Sequence, residues 1–314
     1  MTVAIDAMGG DHAPQQNIHG AMQALRKAKD NLRIILVGNV DKIRPHINDQ
    51  PKNILLKHTS DVIRMNEHPV RSVKKKTDSS LVVAATMVKE GEADAFVSAG
   101  NTGAVTAAGL LIIKRIKGID RPASATMFPT RRGFSLILDA GANADCRAEN
   151  LVEFAKMGSI YLHHMSGKNK PSVGLLNIGE ESSKGNMLYL RAHELLRKTD
   201  LNFYGNVEGR DLPLGTSDIV VCDGFTGNIA LKLMEGVSDS VFKEIKKEIS
   251  KSFRGRLGAT FLLSSLKKLR KRLNPENYGG SPLLGIDGVG VIAHGSSSPT
   301  AIANAVLAAA MAVE

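Results

Sequence analysis

The chain has no tryptophan, aromatics make up only 4% of its 314 residues, and there are two cysteines, Cys146 and Cys222. Two thiols beside acidic residues (Asp145, Asp223), with no metal-ligand spacing, exclude a disulfide framework and a structural zinc site; they read as reduced thiols. No metal is expected. Scarce aromatics also remove the stacking set that single-strand nucleic-acid binders use. No run reaches the ~18–20 uninterrupted apolar residues of a spanning helix. The longest, 103–113 and 300–313, are short, rich in small residues, and read as core helices. The first residues, Met-Thr-Val-Ala-Ile-Asp, lack the basic and long apolar regions of a signal peptide and read as a first strand, so a cytoplasmic protein is expected. Walker A, His-Glu-x-x-His and Gly-x-Ser-x-Gly are all missing, which weighs against ATP, zinc and serine-hydrolase chemistry. Gly288-Val-Gly-Val-Ile-Ala293 fits a dinucleotide fingerprint by spacing, but no full βαβ unit follows it; it reads as chance, and no cofactor is expected.

What is present is an apolar content of 43%, carried by Ala, Val, Ile and Leu, with Gly alongside, which suits helices packed closely on a parallel sheet. Strand-like runs at 3–6, 33–38, 53–57, 95–98, 134–139, 172–178, 202–207 and 219–223 alternate with helical periods at 15–29, 79–90, 102–114, 149–163, 185–198, 228–251 and 300–313. The class is α/β with a mostly parallel core sheet, in a single domain over 1–314; two lobes sharing one sheet is the second choice.

The formal net charge is +10, yet eleven Lys/Arg against Glu244 and Glu248 lie between Lys243 and Arg272, so nearly all of the excess sits there. Apolar residues at Val241, Ile245, Ile249, Phe253 and Leu257, then at Leu262, Leu266, Leu269 and Leu273, are spaced for one helix face. This predicts a basic amphipathic helical hairpin over 238–276, broken near Arg254–Gly258 and stopped at Asn274-Pro275. Its surface residues are Phe261, Leu262, Leu263, Lys267, Lys268, Arg270 and Lys271. A solvated face, a dock for an acidic protein and a membrane-surface element are the three readings. The Phe-Leu-Leu patch inside the charge favours the last two, since each cation near an anionic leaflet contributes about 1 kcal/mol and each buried Leu or Phe about 1.5–3 kcal/mol.

Open α/β sheets bind ligands beyond the carboxyl ends of their strands. Here those loops read Asp6-Ala-Met-Gly-Gly-Asp-His12, Ser98-Ala-Gly-Asn-Thr-Gly103, Asp139-Ala-Gly-Ala-Asn143, Asn177-Ile-Gly-Glu-Glu-Ser-Ser-Lys-Gly185, Asn206-Val-Glu-Gly-Arg-Asp211 and Asp223-Gly-Phe-Thr-Gly-Asn228. Gly next to Asn, Asp or a cation makes ordinary strand-to-helix turns, but six such loops together suit an anion: backbone N–H groups converge and helix amino ends add positive dipole. Phosphate is the economical ligand.

These loops, with Tyr278-Gly-Gly-Ser-Pro-Leu-Leu-Gly285, resemble in order and over essentially the whole chain the bacterial phosphate acyltransferase family of phospholipid synthesis; Ser281 stands where the family is associated with Ala. The resemblance implies a Rossmann-like three-layer αβα sheet of the isocitrate/isopropylmalate-dehydrogenase type, related to phosphotransacetylases, and a homodimer. It implies peripheral membrane association through the hairpin, acyl-ACP and inorganic phosphate as substrates, and a glycerol-3-phosphate acyltransferase as the downstream partner. For that chemistry Lys184 is the principal cation, with Arg210 second, Asn228 and Asn101 as amide donors, and Gly9 and Gly10 as a backbone cradle. Asp6 and Asp223 orient the donors, Thr102 and Asn143 line the substrate site, and His12 or His294 protonates the departing thiolate. Lys184 pairing with Glu180 or Glu181, and Arg210 with Glu208 or Asp211, are the purely structural alternatives. An acyl-CoA:phosphate transferase and a non-catalytic membrane scaffold are the competing functions.

Overall fold

The computed structural model describes residues 1–28, 31–47, 51–252, 258–259, 261–262, 264–269 and 279–313. Its strands are β1 (Thr2–Asp6), β2 (Arg33–Gly38), β3 (Ile54–His58), β4 (Ala95–Ser98), β5 (Ala123–Ser124), β6 (Thr126–Thr130), β7 (Gly133–Leu138), β8 (Ser172–Asn177), β9 (Asn202–Glu208), β10 (Ile219–Val221), β11 (Ser281–Leu284) and β12 (Val289–Ile292). Its helices are α1 (Gln15–Lys27), α2 (Val40–Ile43), α3 (Pro69–Lys75), α4 (Ser80–Lys89), α5 (Thr102–Ala108), α6 (Ala148–Ser166), α7 (Met187–Leu196), α8 (Gly224–Ser250) and α9 (Pro299–Val313).

The expected α/β alternation is present, but the strands form two sheets where one core sheet was expected. The first runs β3-β2-β1-β4-β12-β11-β5, the second β6-β7-β10-β8-β9. In the first, β3, β2, β1, β4 and β12 are parallel, while β11 is antiparallel to both β12 and β5. In the second, only β6 is antiparallel. The chain switches sheets between β5 and β6 and returns to the first with β11 and β12.

Period-two alternation places consecutive residues on opposite faces, and both faces of each sheet are buried. Val3, Ile5, Ile34, Leu36, Ala95 and Val97 pack with residues of α1 and α9; Ala4, Ile35, Val37 and Phe96 pack with α4 and α5. In the second sheet Leu136, Leu138, Val173, Leu175, Ile219 and Val221 meet α6 and α7. Ile137, Val220 and Leu176 meet Ala230, Leu231 and Met234 of α8. Each half is thus three layers, and each fully buried Ile, Leu or Phe contributes about 1.5–3 kcal/mol.

α8 is anchored over its first three turns, where Gly224 and Gly227 are buried and Ala230, Leu231 and Met234 pack on the sheet. Along its other face Phe225, Ile229, Leu233, Val237, Val241 and Ile245 recur every fourth residue and are all exposed. The predicted hairpin break at 254–257, its stop at 274–275, and Leu263, Arg270 and Lys271 lie outside the described residues. Phe261 and Leu262 are 82% and 55% exposed, residues 264–269 are helical, and Lys267 and Lys268 face solvent.

Candidate active site

In the first half, the loop after β1 is organised around Asp6. Its carboxylate is buried, with Oδ1 accepting the Ser80 hydroxyl at 2.6 Å and Oδ2 the Ser98 hydroxyl at 2.7 Å. The Met8 N–H adds a third donor at 3.3 Å. Burial pushes the Asp6 pKa up, while these donors pull the other way. A Cβ on Gly9 would sit 2.8 Å from the Gly100 nitrogen, so this glycine lets the Asp6 and Ser98 loops touch through backbone. From α1, the Asn17 amide donates towards the carbonyls of Asp6, Ala7 and Gly9 at 3.3, 3.0 and 2.8 Å, holding the loop from beneath. The Asp11 N–H reaches the Gly295 carbonyl at 2.8 Å, which brings the His294 segment alongside.

Asn101 caps α5 through the Ala104 N–H at 3.1 Å, and its amide donates to the carbonyls of Met65 (2.9 Å) and Glu67 (3.1 Å). Its donors hold the 61–67 loop, where the sequence suggested a ligand donor. That loop is closed by Lys76, which reaches Glu67 at 2.9 Å and Asp61 at 3.2 Å. The ammonium holds the Glu67 pKa below the usual glutamate range. Thr102 and His12 are exposed, as is His294, whose Nδ1 lies 2.9 Å from the Ser296 hydroxyl.

In the second half, Asp139 has the corresponding place after β7. Its fully buried carboxylate accepts the N–H groups of Ser124, Gly141, Ala142 and Asn143 and the Asn143 amide, at 2.7–3.1 Å. Asn143 passes the contact on, its carbonyl accepting the Gly224 N–H at 2.8 Å at the start of α8. Asp223 caps that helix through the Thr226 N–H at 2.8 Å and accepts the Tyr189 hydroxyl at 2.6 Å. Asn228 lies one turn on; a Cβ on Gly141 would be 3.5 Å from its Cβ. Ala142 packs against the α4–α5 cluster, so the Asp139 loop reaches the first half.

Lys184 is exposed, lies over Gly179, and makes no ion pair among the described residues. Its carbonyl accepts the Asn177 amide at 3.0 Å, and the buried Asn206 amide holds the Glu181 carbonyl at 2.7 Å. Arg210 is engaged, its Nε 2.6 Å from Glu208 and its Nη2 3.6 Å from Glu180; the Glu208 pairing is the structural alternative named for it.

The structure therefore gathers Asp6, Gly9, Gly10, Asn101 and the His294 segment at one sheet, and Asn143, Asp223, Asn228, Lys184 and Arg210 at the other. Asn17, Ser80, Ser98, Asp139, Tyr189 and Asn206 hold these loops without having been singled out. Ser98, Asp139 and Asn206, each opening one of the glycine-bearing loops, carried a local signal; Asn17, Ser80 and Tyr189 carried none. Among the described residues no group of three or more His, Cys, Asp or Glu is placed to hold a metal ion, and no helix is long and apolar enough to cross a membrane.

A family model described as fatty acid synthesis protein matches residues 1–314. A phosphate acyltransferase from Desulfitobacterium hafniense is 48% identical over 317 residues, covering 100% of this chain and 94% of that one. Another, from Geobacillus, is 49% identical over 307 residues, covering 98% and 93%. A phosphotransacetylase from Streptococcus pyogenes superposes with a TM-score of 0.64 at 19% identity, over 100% of this chain and 94% of that one, a likeness of fold.

Proposed function

The chain belongs to the fatty acid synthesis protein family, whose relatives cited above are phosphate acyltransferases, and from that premise we propose that it transfers a fatty acyl group from acyl-ACP to inorganic phosphate. The observation that carries this reading is Lys184: a solvent-facing ammonium without an ion pair among the described residues, on a glycine-bent loop that leads into the amino end of α7. Phosphate is its own nucleophile. One of its oxygens attacks the thioester carbonyl carbon, a C–O bond forms, the C–S bond breaks, and its electron pair leaves on sulfur. The thiolate, near its ordinary pKa of about 8.5, then takes a proton from water or from His12 or His294. The protein's task is to hold phosphate in line and stabilise the tetrahedral oxyanion, with Lys184 and the Asn228 amide as donors and the Gly9–Gly10 backbone as a second cradle. Arg210 supports the Lys184 loop through Glu180 and is a reserve cation. The isocitrate/isopropylmalate-dehydrogenase type of sheet, a single domain, a homodimer, and a basic hairpin that brings the enzyme to the membrane belong to the same proposal. Delivery of acyl phosphate to a glycerol-3-phosphate acyltransferase completes it.

The test is to mix the protein with palmitoyl-ACP and phosphate, trap acyl phosphate as the hydroxamate, and repeat with palmitoyl-CoA. Phosphate-dependent product from ACP, reduced about 10²–10³-fold by Lys184→Ala, is the expected result. Product from CoA alone selects the acyl-CoA:phosphate transferase. Liposome binding with no product from either carrier selects the scaffold.

A further inference from the structure

We propose that Tyr189 is a positioning residue that fixes the Lys184 loop against the amino end of α8, setting the separation between Lys184 and Asn228. This rests on the reading of those two residues as site groups. Tyr189 lies on α7, which starts two residues after Gly185, and its own N–H is capped by Asn186 at 3.2 Å. Gly185 has φ +104°, and a Cβ there would be 2.9 Å from the Tyr189 Cβ and 2.7 Å from the Asn177 amide oxygen, so the end of the Lys184 loop rests on the tyrosine. The other end of the same side chain reaches α8. Its hydroxyl donates to Asp223 Oδ2 at 2.6 Å and accepts the Asp223 N–H at 3.3 Å, while Asp223 holds the Thr226 N–H.

The phenol is 7% exposed. Burial, reinforced by nearby Cys222 and the bond to Asp223, pushes its pKa far above the ordinary tyrosine value, so it remains a hydrogen donor. Asp223 is satisfied by this phenol and by Thr226, whose hydroxyl lies 3.0 Å away. The tyrosine thus contacts the cation loop through its Cβ and the helix cap through its hydroxyl, and a shift at either end is transmitted to the other. It touches no reacting atom in this arrangement.

The experiment compares Tyr189→Phe, which keeps the ring volume, with Ser135→Ala, which removes a buried hydroxyl bonded to the Ser217 carbonyl at 2.7 Å on β7. Amide exchange is followed at 178–186 and at 223–229, and acyl phosphate formation is measured with palmitoyl-ACP. Tyr189→Phe is expected to speed exchange in both segments together, and to lower kcat/KM about 10- to 100-fold with KM for phosphate rising more than KM for the acyl donor. Ser135→Ala is expected to do neither at equal loss of thermal stability. Gly185→Ala, which pushes onto the tyrosine from the other side, is expected to speed exchange at 223–229 as well as in its own loop. Exchange and kinetics for Tyr189→Phe equal to those of Ser135→Ala, or loosening by Gly185→Ala confined to 178–186, overturns the proposal. Should the unaltered protein make no acyl phosphate, the functional reading fails, and the exchange measurements alone decide whether the two segments are coupled through Tyr189.

Discussion

Asp6 and Asp139 stand at the carboxyl ends of β1 and β7, and both are buried, yet they are satisfied in different ways. Asp6 is held by hydroxyls from other elements, Ser80 at the start of α4 and Ser98 at the end of β4. Asp139 is held mostly by its own loop, with the N–H groups of Gly141, Ala142 and Asn143 wrapped around it. The first arrangement ties distant elements together; the second is a self-contained turn joined to β5 through the Ser124 N–H. The contrast shows that two acidic loop starts can look alike in sequence while one is a tertiary clasp and the other a local one. Neither carboxylate is free to act as a general base while it accepts these bonds.

The largest expected effect that sharpens this contrast is at Asp139. Replacing it with Ala removes the acceptor of five hydrogen bonds and is expected to cost about 3–5 kcal/mol, read from urea unfolding midpoints. An equal loss for Asp6→Ala would break the comparison. Next comes Ser98→Ala, which leaves Asp6 Oδ2 and the Gly100 N–H without this partner and is expected to cost about 1–3 kcal/mol. In a double-mutant cycle with Ser80→Ala, a coupling beyond about 0.5 kcal/mol is expected because both hydroxyls share one carboxylate. The smallest effect is with pH. Glu67, whose folded pKa is lowered chiefly by its bond to Lys76, contributes stability above the ordinary glutamate pKa and loses it as pH falls through the lowered value. Asp6 and Asp139, raised by burial, run in the opposite sense, their contributions fading as pH rises. On acidification, protection from amide exchange, taken relative to the intrinsic rate at each pH, is therefore expected to fall at Asn101 and Ala104 before it falls at Gly141 and Ala142.

The eight strand runs read from the sequence are all present; β1, β2, β4 and β10 are buried on both faces, and such a strand is a plain apolar run that survives without tertiary knowledge. What escaped was β5, β6, β11 and β12: β5 is a two-residue strand, β6 and β11 carry Pro129 and Pro282, and β12 is the glycine-interrupted stretch set aside as a chance fingerprint. Gly290 in β12 has its place because the Phe96 ring fills the space a Cβ would need, a fact visible only once β12 lies against β4. The eight strands that were read divide evenly, β1 to β4 in the first sheet and β7 to β10 in the second, a split that no local pattern marks. The 102–114 helical period is broken in the structure into α5 and a π-helical turn at Gly109–Ile113, for which we have no physical account. At the site, glycine-rich loops were legible because their composition is local. Asn17 and Tyr189 were not, since an asparagine or a tyrosine inside a helical period has no signature until the loop it supports is folded over it.

The position of β12 has a further consequence for how the chain is made. Its partner β4 belongs to the first third of the sequence, and β12 fills the place between β4 and β11 from near the far end. A ribosome adding about 5–20 residues per second therefore emits β3, β2, β1 and β4 as an incomplete sheet with one open edge, then all of the second sheet, before the closing strand exists. The second half is able to complete itself during synthesis. The first must wait with an unpaired edge, and it is there that nascent-chain aggregation, or the need for a chaperone, would concentrate.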